Sequence, residues 1–255
     1  MTTKRANGSL YTKVEQHVAT IEFGHPASNS FPSELLARLA KAFDELSLDK
    51  QVHVIVLKSE GDRTFCAGAS FDELLAVQTL EEGAAFFSGF ANVINAMRNC
   101  KKPIIGRIQG KTVGGGIGLA AACDYCMATE AAAIRLSELS IGIGPFVIEP
   151  AVTRKIGLAA MNHLTFDPTH WQNAYWAKEQ GLYAKVYETI KELDTEVETL
   201  AAQLASYNPM ATQQMKKISW AATEHWSELL IERAKLSGEL VLSDFSKTAL
   251  QNLKK

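Results

Sequence analysis

Apolar and polar residues alternate along YTKVEQHVATIEFG, with Val14, Val18, Ile21 and Phe23 on the apolar side. A period of two predicts half-buried strands at the start of the chain. Pro26 and Asn29 break the pattern, and the period then lengthens. In PSELLARLAKAFDELSLD, Leu35, Leu36, Leu39, Ala42, Phe43 and Leu46 share one side of an amphipathic helix, with Ser33 or Ser30 as its N-cap. HVIVLKSEG is a short, almost unbroken apolar run, the pattern of a strand buried on both faces. RTFCAGASFDELLA reads as a loop entering a helix, a longer helix follows over about 80–99, and PIIGRIQG is the next strand. AAIRLSELSIGIGP reads as a further strand and loop, with helices and short segments alternating beyond it. Strands alternating with helices predict an α/β core with parallel strands. Beyond it the pattern is helical and interrupted only at NPM, which divides the chain into a core at 1–193 and a helical region at 194–255. Leu229, Leu230, Leu236, Leu240 and Leu242 of that region require a surface to bury against.

One stretch admits a second reading beside close strand–helix packing. In KTVGGGIGLAAACDY, Gly114, Gly115 and Gly116 stand in front of an alanine-rich helix. Glycine is a poor helix former but lets another molecule approach the backbone. A phosphate-binding P-loop is excluded, because Ile105 occupies the place of the first glycine before Gly110–Lys111–Thr112. A dinucleotide fingerprint matches Gly116, Gly118 and Ala121, with Glu138 at about the required ~20 residues further on. It is disfavoured by its mid-chain place and by a strand that ends too early. The remaining reading uses the free N–H groups of the helix start, which stabilise a developing oxyanion. FCAGAS, residues 65–70, is a second small-residue turn before a helix and supplies a second donor.

Composition narrows the field without choosing. The chain has 255 residues, 47% apolar and 21% charged, with a net charge of -2. No polyanion-binding surface follows from that balance. No apolar run reaches the roughly 18 residues of a membrane span. The N-terminus lacks the apolar centre of a signal peptide, so the expectation is a cytoplasmic protein. Cys66, Cys100, Cys123 and Cys126 fit reduced, buried thiols. The Cys123–Cys126 pair has no further ligands at zinc spacing and follows a helix rather than opening one, so no metal is expected.

RTFCAGASFDEL, followed by KPIIGRIQGKTVGGGIGLAAACDYCMATEAAAIRLSELSIGIG, resembles the crotonase family, also called the enoyl-CoA hydratase/isomerase family. The resemblance covers nearly the whole chain. It implies a spiral of ββα turns with a C-terminal helical trimerisation region, and assembly as a homotrimer or hexamer. It also implies an acyl-CoA substrate, with coenzyme A part of that substrate and no separate cofactor. By position, the N–H groups of Ala69 and Gly115 would hold the thioester oxygen. The backbone around Ser28, Asn29, Cys66 and Ala67 would meet coenzyme A, and the terminal Lys254 and Lys255 are a further candidate contact for its phosphates.

The chain departs from the family pattern at the carboxylates. Hydratases of the family generally carry two glutamates. Here the first position is Gly118, which has no side chain, and the second is Glu138, in LSE. One carboxylate suffices to move a proton between two carbons, the task of an enoyl-CoA isomerase, whereas hydration needs a partner to polarise water. Isomerisation is therefore preferred. Two alternatives stay open. One is hydration by Glu138 with Glu149, a carboxylate in the divergent segment GPFVIEPAVTRKIG that otherwise pairs with Arg154 or Lys155. The other is an acyl-CoA-binding member without catalysis. Phe146 in the same segment predicts a reshaped acyl pocket.

Overall fold

Val54–Ser59 is apolar because both of its faces are covered. In the computed structural model, which describes residues 7–253, this strand lies between two parallel neighbours in a six-stranded sheet. The strands are β1 (Ser9–Glu15), β2 (Val18–Gly24), β3 (Val54–Ser59), β4 (Thr64–Cys66), β5 (Ile104–Ile108), β6 (Lys111–Val113), β7 (Tyr125–Thr129), β8 (Ile134–Arg135) and β9 (Lys185–Tyr187). The large sheet has the order β1-β2-β3-β5-β7-β9, and β4-β6-β8 form a second, parallel sheet. Only β1 and β2 are antiparallel in the large sheet, joined by a tight turn in which Gln16 and His17 both take positive φ.

The helices are α1 (Ser33–Leu48), α2 (Phe71–Ala76), α3 (Leu80–Asn99), α4 (Gly115–Ala122), α5 (Glu149–Phe166), α6 (Ala174–Glu179), α7 (Ile190–Ser206), α8 (Pro209–Ser219), α9 (Trp226–Val241) and α10 (Asp244–Leu253). The chain repeats one path. It leaves a strand of the large sheet, adds a strand to the small sheet and then turns into a helix or helical turn. β3, β4 and α2 make one turn; β5, β6 and α4 the next; β7, β8 and a 3-10 turn at Glu138–Ile141 the third. The three small-sheet strands are parallel neighbours, so the segments leaving them emerge side by side. That is the expected ββα spiral.

Two boundary expectations are corrected. Helix α1 is capped by Pro32 with no side-chain bond, and neither serine does the work. Ser33 instead donates from its N–H and its hydroxyl to Glu73 Oε2, at 2.9 and 2.6 Å. The division at 193 falls inside α7, whose Leu193, Val197, Ala201 and Ala205 pack on Val54, Val56, Ile105 and Met127 of the large sheet. The helical tail is part of the core, not a layer beside it. Leu230 and Ala234 of α9 are likewise buried within the chain, where α9 crosses α3. A Cβ on Gly83 would lie 2.7 Å from Gly238 Cα, so only glycine permits this crossing.

Asp124 ties the spiral to its tail. Its backbone N–H donates to Ile104 O at 2.9 Å, and its Oδ2 accepts from Ile104 N–H at 2.7 Å. Lys216 Nζ, on α8, donates to the same oxygen at 2.8 Å, and Trp220 Nε1 donates to Oδ1 at 2.8 Å. The Lys216 side chain is 3% exposed. Removing one member of a buried pair leaves the other uncompensated, at a cost of roughly 3–5 kcal/mol. Asp124→Ala is expected to lower the unfolding free energy by about 3 kcal/mol in urea denaturation, while Lys217→Ala, one residue from the buried cation, changes it by less than about 0.5 kcal/mol.

Candidate active site

The three segments that leave the small sheet converge on one cavity of about 380 Å3. The loop after β4 brings Ala67, Gly68 and Ala69. The start of α4 brings Gly114 and Gly115. The turn after β8 brings Ser137 and Glu138. Phe86, Phe87 and Phe90 of α3 form an apolar wall, and Phe146, Val147 and Ile148 close the far side. The sequence-derived pair Ala69 and Gly115 and the carboxylate Glu138 are thus brought together.

The backbone leaves two N–H groups free here. Phe31 pairs with Ala69 in a parallel bridge: Phe31 N–H donates to Gly68 O at 2.8 Å, and Ser70 N–H donates to Phe31 O at 2.8 Å. Such a bridge uses the groups on either side of its central residue, so the N–H of Ala69 points away from Phe31. Gly68 takes φ +91°, which orients this turn. On the other side Gly114 has φ 53° and ψ -121°, and its N–H donates to Arg135 O at 3.2 Å. Gly115 is the first helical residue and has no intrahelical partner. A Cβ on Gly115 would overlap the Phe90 ring, which explains why glycine stands there.

Glu138 opens a single 3-10 turn at the foot of β8. Its Oε2 is closed to solvent and has no hydrogen-bond partner. Burial pushes the carboxyl up from its ordinary value of 4.5 to about 7, opposed by backbone donors of Glu138 and Ser137. At neutral pH the group is therefore poised to give or take a proton.

Glu149 is not part of this cavity. It starts α5, forms an ion pair with Arg233, and accepts from Thr153 Oγ1 at 2.6 Å. The expected partners are also corrected. Lys155 Nζ donates to Cys123 O and Asp124 O at 2.8 and 3.1 Å, and Arg154 bonds Ser219 O and stacks on Trp220. Arg233 also donates to Phe146 O at 3.2 Å, which ties the Glu149–Arg233 pair to the wall of the cavity.

Ile148 is the residue that sequence reasoning missed. A Cβ on Gly118 would come within 2.5 Å of Ile148 Cγ2 and 2.8 Å of Ile148 Cβ. The space that a glutamate at 118 would need is filled with hydrocarbon. The signal lay in the divergent segment itself, where the carboxylate at 149 drew attention from its apolar neighbour.

A second depression, about 760 Å3, is lined by His25, Ser28, Asn29, Arg63 and Lys111 among others. It adjoins the first, because Ala67 N–H donates to Ser28 O at 3.2 Å. Ser28 and Asn29 both take φ near +55° (54° and 55°). Asn29 Nδ2 donates to Glu60 O and Thr64 O, each at 2.8 Å, and so holds the rim. Cys66, beside Ala67 in the second expected backbone segment, is fully buried, and burial pushes its thiol up to about 12. Lys254 and Lys255 lie outside the described residues. A third hollow of about 580 Å3, around Asp124 and Lys216, has those polar groups spent on each other. Cys123 and Cys126 are buried free thiols, and among the described residues no group of three or more His, Cys, Asp or Glu could hold a metal ion. Among the same residues no helix is long and apolar enough to cross a membrane.

Comparison with known proteins gives the same picture. The family model described as enoyl-CoA hydratase/isomerase matches residues 13–251. The mitochondrial methylglutaconyl-CoA hydratase of Rattus norvegicus is 34% identical over 192 residues, covering 74% of this chain and 60% of that protein. The peroxisomal Delta(3,5)-Delta(2,4)-dienoyl-CoA isomerase of Arabidopsis thaliana is 26% identical over 205 residues, covering 74% and 72%. The crystal structure of an enoyl-CoA hydratase from Bacillus halodurans superposes with a TM-score of 0.88 at 20% identity, covering 95% of this chain and 99% of that one, which shows the shared fold. With the ββα spiral, the two glycine-rich turns and a model match over nearly its whole length, the chain belongs to the enoyl-CoA hydratase/isomerase family of enzymes.

Proposed function

We propose that this protein moves the double bond of an enoyl-CoA thioester, using a single carboxylate. The thioester oxygen sits between the N–H groups of Ala69 and Gly115. Glu138 removes the α-proton, the two N–H groups hold the enolate charge, and the carboxyl returns the proton two carbons along the chain. No cofactor is required, because coenzyme A belongs to the substrate. Each N–H donor of this kind contributes about 2.7–4 kcal/mol to the transition state. The observation that carries the preference for isomerisation over hydration is Ile148. It occupies the volume above Gly118 where a second carboxylate would stand, and it offers water no partner. Glu149, held by Arg233, is a structural pair and not a second acid.

The depression at Ser28 and Asn29, with Arg63 on its rim, receives the nucleotide end of coenzyme A. Assembly as a homotrimer or hexamer accounts for the exposed apolar residues Met210, Met215 and Ile218 of α8 and Leu158 and Phe166 of α5. Static light scattering at micromolar concentration is expected to give a multiple of three chains. A stable monomer would reject this part of the reading.

The mechanism is tested by mixing the protein with 3-enoyl-CoA and with 2-enoyl-CoA and following the conjugated thioester absorbance. Gain with the first supports isomerisation, loss with the second means hydration, and no change with either across chain lengths returns the binding-only reading. Glu138→Gln preserves shape but accepts no proton, and is expected to lower kcat by about 10²–10⁴-fold. Turnover requires the ionised base, so kcat/KM of the native protein should rise with pH and level off above about 7.

The same group links stability to pH. A carboxyl raised in the folded state makes the native protein bind more protons than the unfolded chain between 4.5 and about 7. Its contribution therefore lowers native stability as pH rises through that window. The stability of Glu138→Gln relative to the native protein should increase from pH 4.5 to 7 in urea titrations. A constant difference would show that Glu138 titrates at its ordinary value.

A further inference from the structure

Glu138 is not alone among the cavity residues in holding an unmet polar atom. Arg135 lines the same cavity, and its Nε is closed to solvent with no acceptor among the described residues. No carboxylate there forms an ion pair with it. Its guanidinium stacks instead on Trp171, with Cζ 4.6 Å from the ring centre. Lys111 Nζ lies 5.2 Å from the centre of the same ring, and among the described residues neither cation has an acidic partner. One indole thus gathers two cations. The aromatic face attracts each of them, but it gives Nε no acceptor and does nothing to relieve their mutual repulsion. An anion is the group that would satisfy both conditions, and a planar carboxylate matches the guanidinium fork.

The place of Arg135 selects which anion. Its carbonyl accepts the N–H of Gly114, the residue before the Gly115 donor, and it stands three positions before Glu138 on the same segment. The phosphates of coenzyme A are separated from the thioester by the whole pantetheine arm. A group bound beside the reacting carbons belongs to the acyl chain. We propose that Arg135, backed by Lys111, binds a carboxylate carried by the acyl group, so that the preferred substrates are dicarboxylic acyl-CoA thioesters. This rests on the reading that the cavity takes an acyl-CoA. It goes beyond that reading by naming the acyl class and the residue that selects it.

Binding of unreactive saturated ligands tests this without turnover. Glutaryl-CoA and pentanoyl-CoA have the same acyl length and differ in the terminal carboxylate, and both can be titrated by calorimetry. The native protein is expected to bind glutaryl-CoA about ten- to hundredfold more tightly, and Arg135→Gln to bring that ratio close to one. Equal affinity in the native protein overturns the proposal and leaves the acyl-CoA reading standing. A variant that loses affinity for both ligands and for free coenzyme A by one common factor assigns Arg135 to the phosphates or to the fold, and overturns it as well. Binding of neither ligand by the native protein rejects both readings together. The comparison within the native protein needs no variant, so a misfolded Arg135→Gln would not rescue the idea.

Discussion

The hydrogen bond from Gly114 N–H to Arg135 O is the constraint on which the site depends. It continues the pairing of β6 with β8 past the end of the strands and then ends it. Gly114 can accept that bond geometry only at φ 53° and ψ -121°, a conformation that L side chains avoid. The turn it enforces starts α4 with an unclaimed N–H at Gly115, and it brings the backbone against the carboxylate that follows β8. A Cβ on Gly114 would stand 2.8 Å from Glu138 Oε1, so any side chain there displaces the carboxylate. One backbone bond therefore sets both the donor and the proton carrier.

The site collects polar groups that have no partner among the described residues. Most buried polar atoms in folded proteins have a partner. Among the described residues Glu138 Oε2 and Arg135 Nε have none, as is also true of Arg38 Nε, Gln109 Oε1 and Thr165 Oγ1 elsewhere; the first two border one cavity, together with Ala69 and Gly115. Each costs stability, and the surrounding structure offsets it. Asp124 joins β5, α8 and Trp220 through charged and neutral bonds. Phe65, Phe23, Phe31 and Phe90 pack in a chain behind the two turns, with successive centroids 5.3, 4.7 and 5.9 Å apart, the middle contact tilted and the outer two edge to face. The rigidity lies under the loops, which is where preorganised donors need it.

What could be read from the sequence was local. Apolar periodicity located β1, β2, α1, β3, α3 and β5, and the small-residue turns at 65–70 and 114–116 marked two segments that line the cavity. What could not be read depended on distant partners. Pro32 rather than a serine opens α1, because Ser33 is drawn to Glu73 on another helix. The periodicity of α7 was visible, but not that its apolar side lies on the large sheet, so 193 looked like a boundary. Glu149 has basic neighbours at 154 and 155, yet it pairs with Arg233 on α9. The Asp124 of the Cys-Asp pair was visible as a motif, while its task of fastening α8 was not.

Ile148 is the packing feature on which the proposed choice of chemistry turns. Loss of a carboxylate at 118 would by itself leave a hole, and a hole beside Glu138 would admit water. Ile148 fills that hole with a branched side chain, and the Arg233–Glu149 pair next to it holds the segment against the cavity through Phe146 O. Restoring a glutamate at 118 alone would force it into Ile148, contrary to what helix propensity favours. The two positions are sterically coupled, so a glutamate at 118 fits only if the residue at 148 changes with it. On the proposed mechanism, a proton taken by Glu138 beside this hydrocarbon returns to the substrate carbon chain, which is the condition for moving a double bond rather than adding to it.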